Sequence, residues 1–386
     1  MDRRDFLSAV GAATVTAVLP PTAFAQRTGK GYDRLLILVE LKGGNDGLNT
    51  VVPYADYAYH ALRPRLAIPR DTVLQLDQRA GLHPALEPLM GIWKGRELAI
   101  VEGVGYPEPN LSHFRSIEIW DTGSKSSEYL GEGWLTRAFA VAPTPKSFAA
   151  DAVIVGSAEL GPFAGGGARA IALTNTQQFL RQARLAAPAA AARNAALGHV
   201  LRVEQDIVRA AEGLASDHAF TTEFPRTPFG NAVRTAAQVV SSRSGVAAVK
   251  VSLNGFDTHS GQPAIHARLL KDLAEGLSAL RLALLELGRW DSTLVMTYAE
   301  FGRRPRENGS NGTDHGTASA QFLLGGKVKG GLYGQPPALT RLDGGGNLPY
   351  AVDFRDLYAT VLEGWWGTDS ARALKGRFAP LDVIRA

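Results

Sequence analysis

Residues 35–49, LLILVELKGGNDGLN, set the expectation for the fold. They open with a short, unbroken apolar run, which is typical of a strand buried on both faces of a parallel sheet. The run ends at Gly43 and Gly44, which let the backbone turn sharply and approach a ligand closely. Asp46 then stands just past the carboxyl end of the strand, where open α/β sheets bind ligands. A carboxylate there suits a hard or borderline cation, and the alternative is a turn without chemistry.

Further apolar runs along the chain predict a sheet of several strands that alternates with helices. The predicted strands are 98–101, 151–156, 247–253, 293–298 and 321–324, and the predicted helices are 54–66, 85–94, 262–287 and 353–366. The first strand, the second helix and the second strand fit a parallel βαβ unit. From about residue 174 to 245 the composition shifts to Ala, Arg, Gln and Leu, which favours helices. We therefore expect one α/β domain over residues 26–386 with a helical insertion at 174–245.

The composition excludes several classes of protein. With 386 residues and 45% apolar content, the chain can bury a large core. Its net charge of +4 is modest and its basic residues are scattered, so no nucleic-acid partner is expected. The absence of cysteine excludes disulfides, thiolate metal sites and cysteine nucleophiles. No segment after the N-terminus has about 18 uninterrupted apolar residues, so we expect no membrane span in the mature protein.

The N-terminus resembles a twin-arginine signal peptide, in which Arg3 and Arg4 precede a polar residue, Phe and Leu. The apolar run at 9–19 is too short to span a membrane, and Ala-Phe-Ala at 23–25 fits a cleavage site. We expect residues 1–25 to be removed after export of the folded protein by the twin-arginine translocation machinery. The mature protein would then be periplasmic or secreted. The alternative is an ordinary N-terminal helix or a retained anchor.

Acidic residues and histidines repeatedly lie just past predicted strands: Asp46, Asp257, His259, Glu300, Asp314 and His315. Because the carboxyl ends of parallel strands lie on one edge, these side chains are expected to converge. Carboxylates and imidazoles without thiolates suit Zn, Mn, Mg or Ca. Such an ion lowers the pKa of a hydroxyl or a water and neutralises an anionic substrate. The sequence therefore predicts a divalent metal site and leaves the identity of the metal open.

Ser112 and His113 follow the second strand at a predicted helix start, which suits a hydroxyl nucleophile or an anion site. The alternative for Ser112 is a helix cap without chemistry. His113 is adjacent in sequence, so the two side chains diverge, and His113 is expected to contact the substrate or a developing charge. Asn45, Arg303 and Arg304 are the candidates for substrate binding, since paired guanidinium groups hold anions in a fork.

The motifs GGNDGLN, VPY, GLHP, SHF, FDTHSGQ, EFGR and DHG together resemble an exported bacterial family. It is catalogued only as a domain of unknown function, number fifteen hundred and one. That family is grouped with the alkaline phosphatase and sulfatase superfamily. The resemblance implies a three-layer α/β/α sandwich with a mainly parallel sheet, a metal-assisted site at the sheet edge, and a small anionic ester as substrate.

The resemblance also implies roles for individual residues. Asp46 matches the metal aspartate that follows the first strand, and Ser112 falls about where the superfamily keeps its nucleophile. Asp257 and His259 match the middle metal motif, and His315 matches the late metal histidine.

This sequence departs from the superfamily pattern at several places. Glu300 and Phe301 stand where an Asp-His pair is usual, and the middle motif is Asp-x-His instead of Asp-x-x-x-His. Without cysteine, a formylglycine nucleophile is excluded. A two-zinc site is therefore incomplete, and the sequence leaves one metal or none.

Two functions of different classes follow from these observations. The first is an exported metal-dependent hydrolase of phosphate or sulfate esters. The second is a non-catalytic exported protein that keeps the fold and uses the sheet edge for binding or assembly, because fold alone does not establish function. A dehydrogenase fits poorly, since GGNDG lacks the G-x-G-x-x-G spacing. The discriminating feature is whether the predicted ligands lie within a few ångströms of each other.

Overall fold

The computed structural model describes residues 31–173, 213, 214, 216, 218–242 and 244–385. The predicted signal peptide with Arg3 and Arg4, and most of the predicted helical insertion, lie outside the described residues. Both therefore stay predictions.

The described part of the chain contains one large sheet and one small sheet. The strands are β1 Leu35–Lys42, β2 Val51–Val52, β3 Leu74–Gln75, β4 Gly81–Leu82, β5 Leu98–Gly105, β6 Ala152–Val155, β7 Ala170–Leu173, β8 Ala248–Asn254, β9 Thr293–Tyr298, β10 Ser319–Leu324, β11 Gly331–Gly334 and β12 Val352–Asp353.

Helices connect most of these strands. The α-helices are α1 Gly47–Thr50, α2 Tyr57–Leu62, α3 Met90–Lys94, α4 His113–Thr122, α5 Trp134–Val141, α6 Pro228–Val240, α7 Gln262–Glu286, α8 Phe354–Ala359 and α9 Ser370–Leu374. Short 3₁₀ helices span Pro84–Leu89, Gly161–Phe163 and Trp290–Ser292, and a π-helix spans Thr360–Trp366.

Strand β1 lies inside the large sheet, whose order is β11-β5-β10-β9-β1-β8-β6-β7 with β12 beside β5. β1 pairs in parallel with β8 on one side and β9 on the other. β6 and β7 extend the parallel arrangement, whereas β10 runs antiparallel to both of its neighbours. The predicted α/β class with a mainly parallel sheet is therefore confirmed.

Both faces of β1 are buried, as its unbroken apolar run predicts. Ile37 and Val39 pack in the core formed with α6, α7 and the Pro84–Leu89 helix. Leu36 and Leu38 point the other way and pack in a second core formed with α4, α5 and α8. The sheet thus lies between two helical layers, which gives the three-layer arrangement.

The predicted βαβ unit is wrong in one respect. β1 and β5 point the same way but are not neighbours, because β9 and β10 lie between them. The predicted helix 85–94 is also divided, into a 3₁₀ helix and α3, with Pro88 inside the 3₁₀ part. Proline lacks the N–H that an α-helix needs, so a regular helix cannot run through this position.

The antiparallel direction of β10 changes how His315 reaches the sheet edge. His315 does not follow a strand; it precedes β10 and forms an isolated antiparallel bridge with Arg303. Because β10 runs opposite to β9, its beginning lies at the edge where β9 ends.

Among the described helices, none combines the length and apolar character that crossing a membrane requires.

Candidate metal centre

Three histidines surround Asp257 at the carboxyl edge of the sheet. The Nε2 atoms of His259 and His315 lie 3.0 and 3.2 Å from Asp257 Oδ1, and 2.9 Å from each other. The Nε2 atom of His113 lies 3.4 Å from Asp257 Oδ2. In the part of the chain that the structure describes, ligand atoms of His113, Asp257 and His315 lie within 4.8 Å of one another, as a metal site requires.

These side chains come from three different connections at the edge, one of which carries both Asp257 and His259. Asp257 and His259 lie between β8 and α7, and His113 is the first residue of α4, which follows β5. The Phe301 ring packs against His113 and His315 at centroid distances of 4.9 and 4.6 Å. Phe301 therefore supports two imidazoles and supplies no ligand.

The other ring nitrogen of each histidine faces an acceptor that carries no hydrogen. His113 Nδ1 lies 2.8 Å from Glu300 Oε1, and His315 Nδ1 lies 2.8 Å from the Leu111 carbonyl. His259 Nδ1 faces Asp314 Oδ1 at a longer 3.4 Å. Because carbonyl and carboxylate oxygens only accept hydrogen bonds, the neutral tautomer that carries its proton on Nδ1 satisfies these outer partners. In that tautomer each Nε2 presents a lone pair toward Asp257, the orientation found in metal-ligating histidines.

Glu300 and Asp314 therefore lie behind the histidines, and this outer position differs from their predicted role as ligands. The Glu300 side chain is only 3% exposed, and its Oε1 also accepts a hydrogen bond from Gly43 N at 2.9 Å. Its Oε2 is buried and has no hydrogen-bond partner among the described residues. Glu300 thus adds buried negative charge beside His113, and the hydrogen bond between them raises the pKa of His113.

The charges around Asp257 keep its carboxylate ionised. Burial opposes ionisation, but the hydrogen bond and positive charge of Arg303, with help from His315 and His113, lower the pKa of Asp257 to about 2. Burial is the main cause that lowers the pKa of His315. A carboxylate and neutral imidazoles are the forms that bind metal ions.

The donor set fits a divalent cation. In the tautomers that carry the proton on Nδ1, three imidazole lone pairs and an ionised carboxylate point toward each other, with no ring proton between them. Such an arrangement is stabilised only by a positive charge, either a proton or a metal ion. Imidazole-rich sets with one carboxylate suit zinc better than magnesium or calcium, which prefer oxygen ligands.

Asp46 lies outside this group, contrary to the sequence prediction. Its side chain is 1% exposed, and Oδ2 accepts hydrogen bonds from Arg63 Nη1 at 2.7 Å and from Gln262 Nε2. Oδ1 accepts from the backbone N–H groups of Leu48 and Asn49, so Asp46 caps α1. Burial alone would raise the pKa of Asp46, but the charge and hydrogen bond of Arg63 lower it. The structure assigns Asp46 to a buried ion pair.

Arg303 is likewise internal and is not free to bind a substrate. Its buried guanidinium donates to the carbonyls of Gly44, Thr313 and Phe256 at 2.8, 3.0 and 3.1 Å, and also to the Gly43 carbonyl. It reaches Asp257 Oδ1 at 2.6 Å. Arg303 therefore ties the ends of β1 and β8 together and fixes Asp257 from behind.

The other two predicted substrate contacts differ from each other. Asn45 is buried, exchanges hydrogen bonds with the Thr50 hydroxyl, and lies 2.9 Å from His266 Nε2, so it is structural. Arg304 is only half-buried, and its Nε has no hydrogen-bond partner in the described ranges. Arg304 remains the candidate for an anionic substrate.

Ser112 is exposed and occupies the N-cap position of α4, directly before His113. Its hydroxyl makes no cap hydrogen bond, so the alternative role as a side-chain cap is not observed. The hydroxyl therefore remains available as a nucleophile, and this assignment stays a prediction.

Sequence reasoning missed Arg63, Gln262 and the Leu111 carbonyl. Gln262 ends the FDTHSGQ motif, so its place in that motif was an available signal. Nothing in the sequence pattern indicates that Arg63 pairs with Asp46 or that the Leu111 carbonyl orients His315.

These observations define a mixed α/β protein with a candidate metal centre at the carboxyl edge of a mainly parallel sheet. The chain belongs to the family described as "Protein of unknown function (DUF1501)", whose model matches residues 71–378. The family predicted from the motifs is thereby confirmed. No curated protein matches the chain.

The chain is also similar to several solved structures. One is Ps i-CgsB in complex with k-i-k-neocarrahexaose, with a TM-score of 0.45 and 10% identity over 90% of this chain and 75% of that chain. Another is a protein in the alkaline phosphatase superfamily from Vibrio parahaemolyticus, with a TM-score of 0.44 and 9% identity over 90% and 69%. A third is the phosphonate monoester hydrolase SpPMH from Silicibacter pomeroyi, with a TM-score of 0.44 and 10% identity over 89% and 76%. Similarity at this level carries no argument about a site or a reaction.

Proposed function

We propose that this protein is an exported, metal-dependent hydrolase of phosphate or sulfate esters. The observation that supports it is the convergence of three imidazole Nε2 atoms on Asp257, with every Nδ1 directed at a carbonyl or carboxylate oxygen. An arrangement of this kind at the carboxyl edge of an α/β sheet suits catalysis on an anionic ester.

Asp257, His113 and His315 would hold the divalent ion, with His259 beside them, and zinc suits this set best. When bound, the ion would supply a Lewis acid that neutralises the ester oxygens and lowers the pKa of a nearby hydroxyl. His113, expected from sequence to contact the substrate, would then serve as a ligand held by Glu300.

Ser112 would supply the nucleophile. Its hydroxyl oxygen forms a bond to phosphorus or sulfur while the bond to the departing alcohol breaks, and the serine proton passes through solvent to that alcohol. Water then cleaves the seryl ester and releases the inorganic anion. The half-buried Arg304 would bind the remaining negative charge of the substrate.

A second candidate, a non-catalytic binding or assembly protein, is favoured by one observation. Asp46 and Arg303, two groups expected at an active site, are committed to internal contacts instead. The edge of the sheet therefore offers fewer free catalytic groups than the sequence predicts.

Elemental analysis and turnover of aryl phosphate and aryl sulfate esters by the purified mature protein test the proposal. We expect about one zinc ion per chain, and turnover that is lost in Asp257→Asn together with the metal. Asp382→Asn, which changes an exposed aspartate paired with Lys329, is the control and should keep both. Bound metal without turnover of either ester class would favour the non-catalytic function, and a metal-free wild-type protein would refute the metal centre.

Export through the twin-arginine machinery is a separate part of the proposal. It is supported by Arg3, Arg4 and the short apolar run that follows them. Changing both arginines to lysine should trap the precursor in the cytoplasm, and normal export of that variant would refute this part alone.

A further inference from the structure

A buried polar network lies beneath the candidate metal centre. At its base is the ion pair of Asp46 and Arg63, two side chains with exposed fractions of 1% and 0%. Arg63 also donates from Nε to the Pro305 carbonyl at 2.8 Å and from Nη2 to the Arg304 carbonyl at 3.0 Å. The ion pair therefore holds the segment that follows β9.

Gln262, the first residue of α7, connects this ion pair to the two loops that carry His259 and His315. Its side chain is fully buried, and its Nε2 donates to Asp46 Oδ2. Its Oε1 accepts hydrogen bonds from the hydroxyls of Thr258 at 3.1 Å and Thr313 at 2.6 Å. One amide thus joins three segments that are distant in sequence.

The two threonines are adjacent to the proposed ligands. Thr258 lies between Asp257 and His259, and Thr313 lies two residues before His315. The backbone N–H of Thr313 also donates to the Thr258 carbonyl at 3.2 Å, so the two loops are joined at this point. Asp257 and His259 themselves are about half exposed, with side-chain fractions of 47% and 46%. Their positions therefore depend on the buried residues beneath them.

We infer that Gln262, with Asp46 and Arg63, forms a positioning network that sets the metal affinity of the site through Thr258 and Thr313. This inference rests on the proposed metal centre. Among the described residues, the side chain of Gln262 forms hydrogen bonds with Asp46, Thr258 and Thr313 and with none of the proposed ligands. A rigid set of outer hydrogen bonds is what keeps ligands in a binding geometry. Asp46 therefore influences the metal site through its hydrogen bond with Gln262, although it is not itself a ligand.

Gln262→Met tests the inference because methionine has nearly the same shape but can replace neither the donor nor the acceptor. Gln321→Met is a matched control. Gln321 is also a buried glutamine that accepts a threonine hydroxyl, that of Thr297 at 2.9 Å, but it lies within β10, away from the histidines. Thr313→Val removes only the hydrogen bond from the Thr313 hydroxyl to Gln262. It replaces Gln262→Met as the test variant if Gln262→Met fails to fold.

We expect the dissociation constant for Zn²⁺, measured by competition with a chelator on folded protein, to rise about 10-fold or more in Gln262→Met. Thr313→Val should show a smaller rise and Gln321→Met none. Wild-type affinity in both network variants would overturn the inference and leave the network a purely structural element.

A second readout separates this inference from the proposed function. In the metal-free protein at fixed pH, Gln262→Met should shift the imidazole NMR signals of His259 and His315 and leave those of the remote His218 unchanged. If wild-type protein binds no zinc, the proposed metal centre and the effect on metal affinity both fail, and these signals alone decide whether the network positions the two histidines. Unchanged signals of His259 and His315 would then refute the positioning role.

Discussion

Asp46 and Asp257 both follow strands at the same edge of the sheet, but their surroundings differ completely. Asp46 is 1% exposed and paired with a buried arginine, whereas Asp257 is 47% exposed and lies among histidines. Removing one partner of a buried ion pair leaves an uncompensated charge in the core, while an exposed carboxylate is stabilised by water. The same substitution should therefore cost more stability at Asp46 than at Asp257.

Asp46→Asn should lower the free energy of unfolding by about 3–5 kcal/mol, because the Arg63 guanidinium then lies buried without its counter-ion. Asp257→Asn should lower it less, by about 1–2 kcal/mol, because the buried Arg303 loses its charged partner but keeps its backbone carbonyl acceptors, and it should remove the metal. Denaturant unfolding of the metal-free proteins and elemental analysis measure the two effects. If Asp46→Asn lost its metal without losing stability, Asp46 would be restored as a ligand.

Ser112→Ala should abolish ester turnover and leave the melting temperature and metal content nearly unchanged. The structure supports the second half of this expectation because the Ser112 hydroxyl makes no cap hydrogen bond whose loss would destabilise α4. Activity assays and thermal unfolding are the measurements. Full activity in the variant would remove the nucleophile assignment and favour attack by water.

At the level of residues, the sequence predicted which side chains gather at the edge better than what each one does. Asp257, His259 and His315 were predicted together because residues that border strand ends share an edge. The roles of Asp46, Asn45 and Arg303 were not predictable, since they depend on side chains buried beneath the edge. No periodic pattern indicates that Arg63, which follows α2, reaches Asp46.

At the level of elements, the turn after β1 shows why two consecutive glycines in the sequence indicated a sharp turn and a close approach of the backbone. Gly43 and Gly44 have φ angles of +117° and +79°, which other residues rarely adopt. A Cβ atom on Gly43 would lie 2.4 Å from the backbone nitrogen of Asp257. The close approach of this turn to the Asp257 loop therefore requires glycine.

Gly43→Ala should destabilise the protein by about 1–3 kcal/mol from backbone strain alone, with a further cost from displacing the Asp257 loop. It should also weaken metal binding, because Asp257 must move. Gly309→Ala is the control, since a Cβ there meets no atom within 4 Å and its φ is not positive. Unfolding and metal titration compare the two, and equal behaviour would contradict the steric argument.

The elements themselves were largely predictable, and their arrangement was not. The apolar runs located β1, β8 and β9, because strands buried on both faces have few other compositions. Strand order and the direction of β10 depend on contacts between distant segments, which local patterns do not encode. The π-helical end of the predicted helix 353–366 is equally invisible in its apolar spacing.

For the whole molecule, buried His266 links stability to pH. Burial lowers the pKa of His266 to about 4 from its ordinary value of 6.5. Between these pH values the unfolded chain binds a proton that the folded protein does not, so stability falls as the pH falls through this window. The His266 contribution is fully present above pH 6.5 and is lost progressively toward pH 4.

The wild-type protein should therefore lose about 2–3 kcal/mol more stability than His266→Gln between pH 7 and pH 4.5. Glutamine is chosen because it can keep a hydrogen bond to Asn45. Denaturant unfolding in the presence of a chelator measures the difference, and His83, whose pKa is also lowered to about 4, is present in both proteins. Parallel pH profiles for the two proteins would show that His266 is not the cause.

Metal binding should stabilise the whole molecule by mass action, because the ligands come from segments that unfolding separates. Asp257 follows β8, His113 follows β5 and His315 precedes β10, so the unfolded chain has no comparable site. At a free Zn²⁺ concentration of 100 times the dissociation constant, the expected gain is about 2.7 kcal/mol.

Thermal unfolding with and without Zn²⁺ measures this gain, and a chelator should reverse it. The increase in melting temperature with Zn²⁺ should disappear in Asp257→Asn. It should persist in Asp382→Asn, which changes an exposed aspartate that pairs with Lys329. Asp46→Asn should keep part of the shift in melting temperature despite its low stability. The proposed metal ligands are intact in this variant, and only the hydrogen-bond network beneath them is weakened. A shift that survives in Asp257→Asn would mean that zinc binds elsewhere, and the group around Asp257 would then have to function without a metal.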